Sequence, residues 1–510
     1  MSLGKGPAAV RPEQEAIDPE LRRLLAAVRE AAPDAYLVGG GVRDVLLGRR
    51  PVDLDFVLAG DVGAAAEAIA ETLAGSAFPL DAERGQLRVV LPEPAAVREI
   101  DLSRLEDGIE ADLARRDFTL NALAAPIEAD GSLGEVIDTT GGVADLRARR
   151  VRLVGERALA DDPLRLLRAV RLAVELDFEL EEGTAHAVRA SAANVHAAAP
   201  ERQRDELARI FATPRAAAGL RLLDALALLA ELLPEVAAGR GVEQPHVHHW
   251  DVFDHSIETV AALDALLTEV GPQLAAPLPA PSWLRQAFRD GLAWFALRPY
   301  MDEAVGGSSR RVLLKLAALL HDVAKPETKS VEPDGRVRFL GHADVGAAKA
   351  ERICERLRFG GRETRFVARL VEEHLRPTQL SQEGPPSQRA VYRFFRDLGG
   401  AAPACLILSL ADGVAAAGPR LTTERWQGHV AYVSYVLRQA EAQAAAVART
   451  LRLLSGHDLM EALDLAPGPL IGRLLAAVEE AAGAGEIATP EEALAYAARL
   501  LASRGGEVAP

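Results

Sequence analysis

Apolar positions in the first 150 residues keep changing period. Short apolar runs at residues 35–38 and 54–58, bounded by glycine and polar clusters, predict strands, as do 87–91 and 97–102. Between them, 42–47 fits a helical turn and 62–73 a helix. From Arg147 onward the apolar positions recur at helical spacing almost throughout. Breaks are predicted at Pro200, Pro214, Pro234 and residues 239–245, because proline and glycine interrupt the hydrogen-bond ladder. Residues 271–281 read as a loop between two helices, and 466–469 as a turn among the later helices. The pattern predicts an α/β head (1–150), then an all-α neck (151–240), middle domain (241–415) and tail (416–510).

Composition narrows the class. A chain of 510 residues, 49% hydrophobic and 26% charged, is globular and needs several domains. Two cysteines, Cys354 and Cys405, build neither a disulfide framework nor a zinc cluster, which predicts a reducing compartment. The first twenty residues lack the apolar core of a signal peptide, and no run of 18 apolar residues occurs. The expectation is a cytoplasmic protein with no membrane and no stable protein partner. A net charge of −16, taken alone, argues against nucleic acid. Its distribution argues the other way: Arg147 to Arg171 holds eight arginines against Glu156, Asp161 and Asp162.

The strongest chemical signal lies in the head. Gly39-Gly40-Gly41 leads into Arg43, and Asp53 and Asp55 follow about ten residues on. A strand running through glycines into a helix brings backbone N–H groups close to a phosphate, and Arg43 can add a bidentate contact. Asp53 and Asp55, two apart on a strand, put both carboxylates on one face. Carboxylates that close repel unless cations sit between them, and two Mg²⁺ ions there can activate a hydroxyl and hold a leaving pyrophosphate. A lone Asp-x-Asp is common in turns and a lone Gly-Gly-Gly is usually a loop. Their combination with an arginine is what carries weight.

The stretch YLVGGGVRDVLLGRRPVDLDF resembles the opening signature of the class II tRNA nucleotidyltransferase and poly(A) polymerase superfamily. Arg115-Arg116-Asp117-Phe118-Thr119-Leu120-Asn121-Ala122 resembles that family's RRDFTxNA motif. Asp161-Asp162-Pro163-Leu164-Arg165 resembles EDxxR, with Asp161 in place of Glu, and Glu201-Arg202…Glu206-Leu207 resembles the neck motif that follows. The resemblance implies a polymerase-β-like nucleotidyltransferase head, CTP and ATP as substrates and tRNA as partner. It implies that Asp162 and Arg165 select the base, since an Asp can accept from an exocyclic amine and an Arg can donate to a ring acceptor. Gly40, Arg43 and Arg116 would then touch the nucleotide, and Asp117 and Asn121 would organise the ribose and the local turn. Arg165, Arg168 and Arg171, three apart, would form one nucleotide-facing helix stripe. Asp101 is a candidate third carboxylate. Residues 103–114 are short for the flexible element of complete CCA-adding members and resemble the form in CC-adding ones. Full CCA addition still ranks slightly ahead, because another segment could do the same work.

The middle region carries a second constellation: His255, His321-Asp322, His342, His374 and Asp412, with Lys325 one turn beyond His321. This order resembles the HD phosphohydrolase family. Imidazole and carboxylate ligands suit Mn²⁺, Ni²⁺ or Fe²⁺, or Mg²⁺ where carboxylates dominate. Lys325 can bind a substrate phosphate. His246, His248 and His249 read as loop histidines. In the tail, glycine-containing junctions at 454–460 and 467–472 could approach RNA phosphate, or be an ordinary helical hairpin. The leading expectation is a tRNA 3′-end nucleotidyltransferase with an HD phosphohydrolase domain. The alternatives are a CC-adding enzyme, a poly(A) polymerase, a phosphohydrolase with a nucleotide-sensing head, and a non-catalytic RNA-binding module.

Overall fold

The computed structural model describes residues 10–12, 17–81, 85–93, 97–155, 157–268, 281–380, 384–451 and 455–503. They form two compact units: Met1–Glu206 with Leu222–Glu231, and Leu207–Arg221 with Leu232–Pro510.

The first unit is built on one mixed sheet. Its strands are β1 (Tyr36–Val38), β2 (Asp53–Leu58), β3 (Ser76–Asp81), β4 (Gln86–Val90), β5 (Glu99–Arg104), β6 (Leu123–Pro126) and β7 (Ile137–Asp138). They pair in the order β3-β4-β5-β2-β1-β6-β7. β2 and β5 run parallel, with Asp55 opposite Asp101, and the other pairs are antiparallel. Parallel pairing needs a crossover, which helix α3 (Val62–Leu73) and the β3–β4 hairpin supply. Helices α1 (Pro19–Ala31), α2 (Gly40–Leu46) and α4 (Ile109–Ala114) complete the head. Asp18 and Asp61 cap α1 and α3 by accepting backbone N–H bonds. Burial alternates along the start of β2: Leu54 and Phe56 enter the core, and Asp53 and Asp55 face outward.

The strands expected at 35–38, 54–58, 87–91 and 97–102 are present within two residues at each end, and the helix at 62–73 matches. β3, β6, β7 and α1 add to that reading. The region expected to be helical almost throughout also holds small strand pairs: Arg150–Val151 with Glu179–Leu180, Ala304–Val305 with Ser308–Ser309, and Lys329–Val331 with Val337–Phe339. Pro200 and Pro234 open the helices Pro200–Ala212 and Pro234–Ala237, where a missing N–H costs nothing. The loop expected at 271–281 lies almost wholly outside the described residues.

The second unit is helical. Val252–Leu267, Arg310–Leu320 and Ala402–Ala417 pack together, and His342–Arg356 packs on Gly361–Glu373. Inside it Lys315 is fully buried, with Nζ 2.6 Å from Asp264 Oδ1 and donating to Thr213 O at 2.6 Å. The stretch Gln388–Arg420 is long and apolar enough to cross a membrane by composition alone. Here Ala402–Ala417 is a core helix buried against Val252–Leu267. In the tail, Leu459, Leu474, Val478, Ala481 and Ala493 form a separate small core, and Ser455 and Asp458 close a capping box.

Candidate active sites

The turn from β1 into α2 sets the geometry of the head site. Gly39 has φ +72° and ψ −132°, a conformation open to glycine and strained for other residues. A Cβ there would lie 2.8 Å from Arg116 Nη1 and 3.7 Å from Asp55 Oδ2. The guanidinium of Arg116 therefore rests over Gly39 beside Asp55, and Asp112 Oδ2 accepts from its Nε at 2.9 Å. Asp55 is reachable by solvent but closely surrounded by protein. That desolvation, opposed by Arg116 and reinforced by Asp101 and Asp53, pushes its pKa from 3.8 up to about 6. Asp101 is held by Arg88 through two bonds of 2.7 and 2.8 Å. Three carboxylates on two adjacent parallel strands thus concentrate negative charge beside a glycine turn, an arrangement that divalent cations relieve.

Behind this cluster the other expected residues interlock. Arg43 donates to Asn121 Oδ1 at 2.8 Å and pairs with Asp44. Asn121 donates to Asp117 Oδ1 at 3.2 Å, and Asp117 Oδ2 accepts from Arg168 at 3.0 Å. Burial raises the Asp117 carboxyl, but Arg168 and the Phe118 N–H more than offset it and hold it below its ordinary range. Arg168 and Arg171 both reach Glu206, and Arg171 also bonds Glu175 at 2.6 Å. The expected nucleotide-facing arginine stripe thus turns inward at these two residues: Arg171 is buried, because acids from Pro200–Ala212 and from its own helix neutralise it. Asp162 sits on extended backbone at the end of Ala158–Asp161 and holds Arg202 through bonds of 2.8 and 3.3 Å. Arg165 donates to the carbonyls of Ala158 and Arg115. The two residues expected to act together on a base therefore each have a protein partner; the neck motif residue Arg202 holds Asp162, and Glu206 of the same motif holds Arg168 and Arg171.

The second unit gathers all six expected ligands. His321 and Asp322 follow directly on the end of Arg310–Leu320, His255 projects from Val252–Leu267, and Asp412 from Ala402–Ala417. Nε2 of His255 is 3.2 Å from Nε2 of His321, 3.1 Å from Asp412 Oδ1 and 3.4 Å from Asp322 Oδ2. On the other side of Asp322, Oδ1 lies 3.5 Å from His342 Nε2 and 3.7 Å from His374 Nε2. Two ligand groups result, His255–His321–Asp412 and Asp322–His342–His374.

Tautomers show what such groups want. Nδ1 of His342 lies 2.6 Å from Phe339 O, and Nδ1 of His374 lies 2.7 Å from Val371 O. A carbonyl only accepts, so each Nδ1 carries the proton and donates it. Burial pushes His374 down to about 3 and lowers His342, so both rings are neutral. Their Nε2 lone pairs then face each other across 3.3 Å. Asp322 Oδ1 is buried beside them with no hydrogen-bond partner among the described residues. Lone pairs and an orphaned carboxylate oxygen converging on one point fit a cation. At the first group, burial opposes charge on His321, but Asp322 and Asp412 outweigh it and raise its pKa, so this site also favours positive charge.

Lys325 is buried, donating to Asp322 Oδ2 at 2.6 Å and Gln244 Oε1 at 2.7 Å, and it lines a cavity of about 550 Å³ over the ligands. His248 lies on a loop, as expected, and packs edge-on to His255 at 5.1 Å between ring centroids. Burial pushes it down to about 4. His429, which no spacing marked, stands beside Ser409 near Asp412.

Fold and sites together define a polymerase-type nucleotidyltransferase head joined to an HD domain. The family description "Poly A polymerase head domain" matches residues 35–106 and 83–152, "Probable RNA and SrmB- binding site of polymerase A" matches 177–239, and "HD domain" matches 252–417. A tRNA nucleotidyltransferase domain 2 model matches 439–498. The chain is 39% identical to the A-adding tRNA nucleotidyltransferase of Deinococcus radiodurans, over 92% of this chain and 95% of that one. It is 38% identical to the CC-adding tRNA nucleotidyltransferase of Thermus thermophilus, over 93% and 95%. Solved structures share the fold: a Thermotoga maritima CCA-adding enzyme complexed with tRNA (TM-score 0.58, 20% identity, 96% and 97% covered) and a CCA-adding enzyme with ATP (TM-score 0.61, 19% identity, 96% and 97% covered). The chain belongs to the tRNA nucleotidyltransferase and poly(A) polymerase family, and it is a nucleotidyltransferase.

Proposed function

We propose that this enzyme builds the CCA end of tRNA in the cytoplasm, taking CTP and ATP without a template. The carrying observation is the Asp53–Asp55–Asp101 cluster beside the Gly39 turn, with Arg116 lying over it. Bound Mg²⁺ would lower the pKa of the tRNA 3′-hydroxyl and neutralise the departing pyrophosphate. Asp53 and Asp55 would hold it. Arg116 and Arg43 would orient the triphosphate near the Gly39–Gly40 backbone. Asp162 and Arg165 would read the amine and neighbouring acceptor common to C and A, exchanging their present protein partners for the base. The division into head, neck, middle domain and tail follows this reading, with neck and tail contacting RNA.

A second reading, arrest after CC, is favoured by the 103–114 segment. Ser103 and Arg104 end β5, α4 begins at Ile109, and only four residues lie between. That leaves little chain to reshape a pocket from C to A. tRNA transcripts ending at the discriminator base, C or CC, each with one labelled NTP, decide the matter by product length. Efficient addition of a single A to the CC-ended tRNA rules out arrest after CC. C addition without A addition rules out full CCA synthesis. A long A ladder overturns both in favour of a poly(A) polymerase.

The histidine–aspartate centre we assign to phosphoester hydrolysis. A metal there, such as Mn²⁺, Ni²⁺ or Mg²⁺, would polarise the phosphate and activate water. His255, His321, Asp322, His342, His374 and Asp412 would hold it, and Lys325 would lie beside the phosphate.

A further inference from the structure

Helix α4 lies on the carboxylate face of the head sheet. Asp53, Asp55 and Val57 share one face of β2, because successive side chains alternate. Val38 pairs in register with Asp55 and so points to the same face. Ile109 and Leu113 of α4 pack into a small buried cluster with Val38, Val57, Ala122 and Ala124. The apolar side of α4 is thus seated next to Asp55, and Asp112, adjoining the fully buried Leu113, is fixed in place. Arg116 follows just past the end of this helix, one turn on from Asp112. Its guanidinium has two carboxylates within its surroundings. Asp112 Oδ2 accepts from Nε at 2.9 Å, and both side chains are largely withdrawn from solvent (22% and 23% exposed). Asp55 is the other: a point 2.8 Å from Arg116 Nη1 lies 3.7 Å from Asp55 Oδ2. The ion pair is nevertheless made with Asp112.

We propose that Asp112 is a positioning residue for nucleotide addition: by engaging Nε it keeps Arg116 from closing onto Asp55. A guanidinium is a planar fork with five N–H donors. With Nε held by Asp112, the Nη groups stay over the Gly39 turn, where a triphosphate would lie, and the Asp55 oxygens stay open to a metal ion. Without Asp112, the neighbouring carboxylate left for this cation is Asp55, and a charge-assisted bond between them would be strong in a site shielded from water. That bond would occupy the oxygens that Mg²⁺ needs, so the arginine would become a competitor of the metal. The inference rests on the assignment of Asp55 to Mg²⁺. An (i, i+4) pair that did no more than stabilise α4 would change the melting temperature and leave the metal requirement alone.

The test measures addition of labelled C to tRNA by the full-length protein while free Mg²⁺ and CTP are varied separately. In Asp112→Ala the Mg²⁺ giving half-maximal addition and the KM for CTP should each rise at least about fivefold, with kcat at saturating Mg²⁺ and CTP within about threefold of wild type. That split marks competition, because excess metal displaces the arginine. Asp112→Glu keeps a carboxylate within reach and should restore both values to within about twofold. In Asp112→Ala/Arg116→Ala no guanidinium is left to compete. Its Mg²⁺ requirement at saturating CTP should therefore return to within about twofold of wild type, although the triphosphate contact is gone. Asp107→Ala removes an exposed ion pair with Arg115 in the same segment and serves as the control, with addition within about twofold of wild type. Three results overturn the proposal: an unchanged Mg²⁺ requirement in Asp112→Ala, a loss of kcat that saturating metal does not recover, or a double variant that keeps the raised requirement. Asp55→Ala in the same assay separates this proposal from the metal assignment beneath it. Full activity there ends both, whereas inactivity beside a wild-type Mg²⁺ response in Asp112→Ala ends the proposal alone.

Discussion

At the scale of single residues, the head site depends on carboxylates that the fold forces together. Asp53→Ala or Asp55→Ala should reduce nucleotide addition by about 10²-fold or more, since each removes part of the electrostatic clamp. Circular dichroism of each variant should remain that of the wild type, because both side chains face outward from β2. Retention of more than about a tenth of the activity in both variants would sink the assignment. A pH dependence follows as well. The pKa of Asp55 in the folded protein, about 6, lies above its ordinary 3.8. The folded state therefore binds more protons than the unfolded chain between those values, and without a cation the head loses stability as pH rises from about 4 to about 6. A cation competes with that proton for the same oxygens. Mg²⁺ should thus raise the melting temperature of the head more at pH 7.5 than at pH 5.5, and an equal shift at both would show that Asp55 is not a ligand.

Among the elements, the turn from β1 into α2 does the most positioning. Gly39→Ala puts a side chain into a backbone conformation that costs about 1–3 kcal/mol, and directs its methyl at Arg116. We expect kcat/KM for CTP to fall at least about tenfold, with a lower melting temperature; unchanged kinetics would mean that Arg116 does not need its present place. The Gly-Gly-Gly and Asp-x-Asp signals were legible in the sequence because strand and turn chemistry are local. β6 was not: Leu123–Pro126 reads only Leu-Ala-Ala-Pro, and it is a strand because β1 and β7 pair with it. The inward turn of Arg168 and Arg171 was equally hidden, since spacing gives the helix face but not the Glu206 that meets it. His248 and His429 carried no local signal, because the chain brings them to Asp412 from separate segments.

Across the whole molecule, the net charge of −16 pointed away from RNA, while the ordered motifs pointed toward it. Several arginines in the block from Arg147 to Arg171 pair with acids, which is why neither the sum nor the block could decide the question alone. Among the described residues, the two proposed ligand sets belong to different compact units: Asp53 and Asp55 to the first, and the six histidine–aspartate residues to the second. Sites that share no ligand and no hydrogen-bond network should respond independently to substitution. The double variant His321→Ala/Asp322→Ala removes one imidazole from the first group and the carboxylate of the second, whose Oδ2 also lies 3.4 Å from His255 Nε2. It should abolish stoichiometric retention of a transition metal, read by elemental mass spectrometry after desalting, together with any phosphoester hydrolysis. Removing Asp322 leaves Lys325 without its buried counter-charge, so some loss of stability is expected and is measured alongside by thermal denaturation. Nucleotide addition to tRNA should stay within about twofold of wild type. Loss of addition in a variant that still melts cooperatively near the wild-type temperature would show that the two chemistries are coupled through the protein, and would end the description of two separate centres.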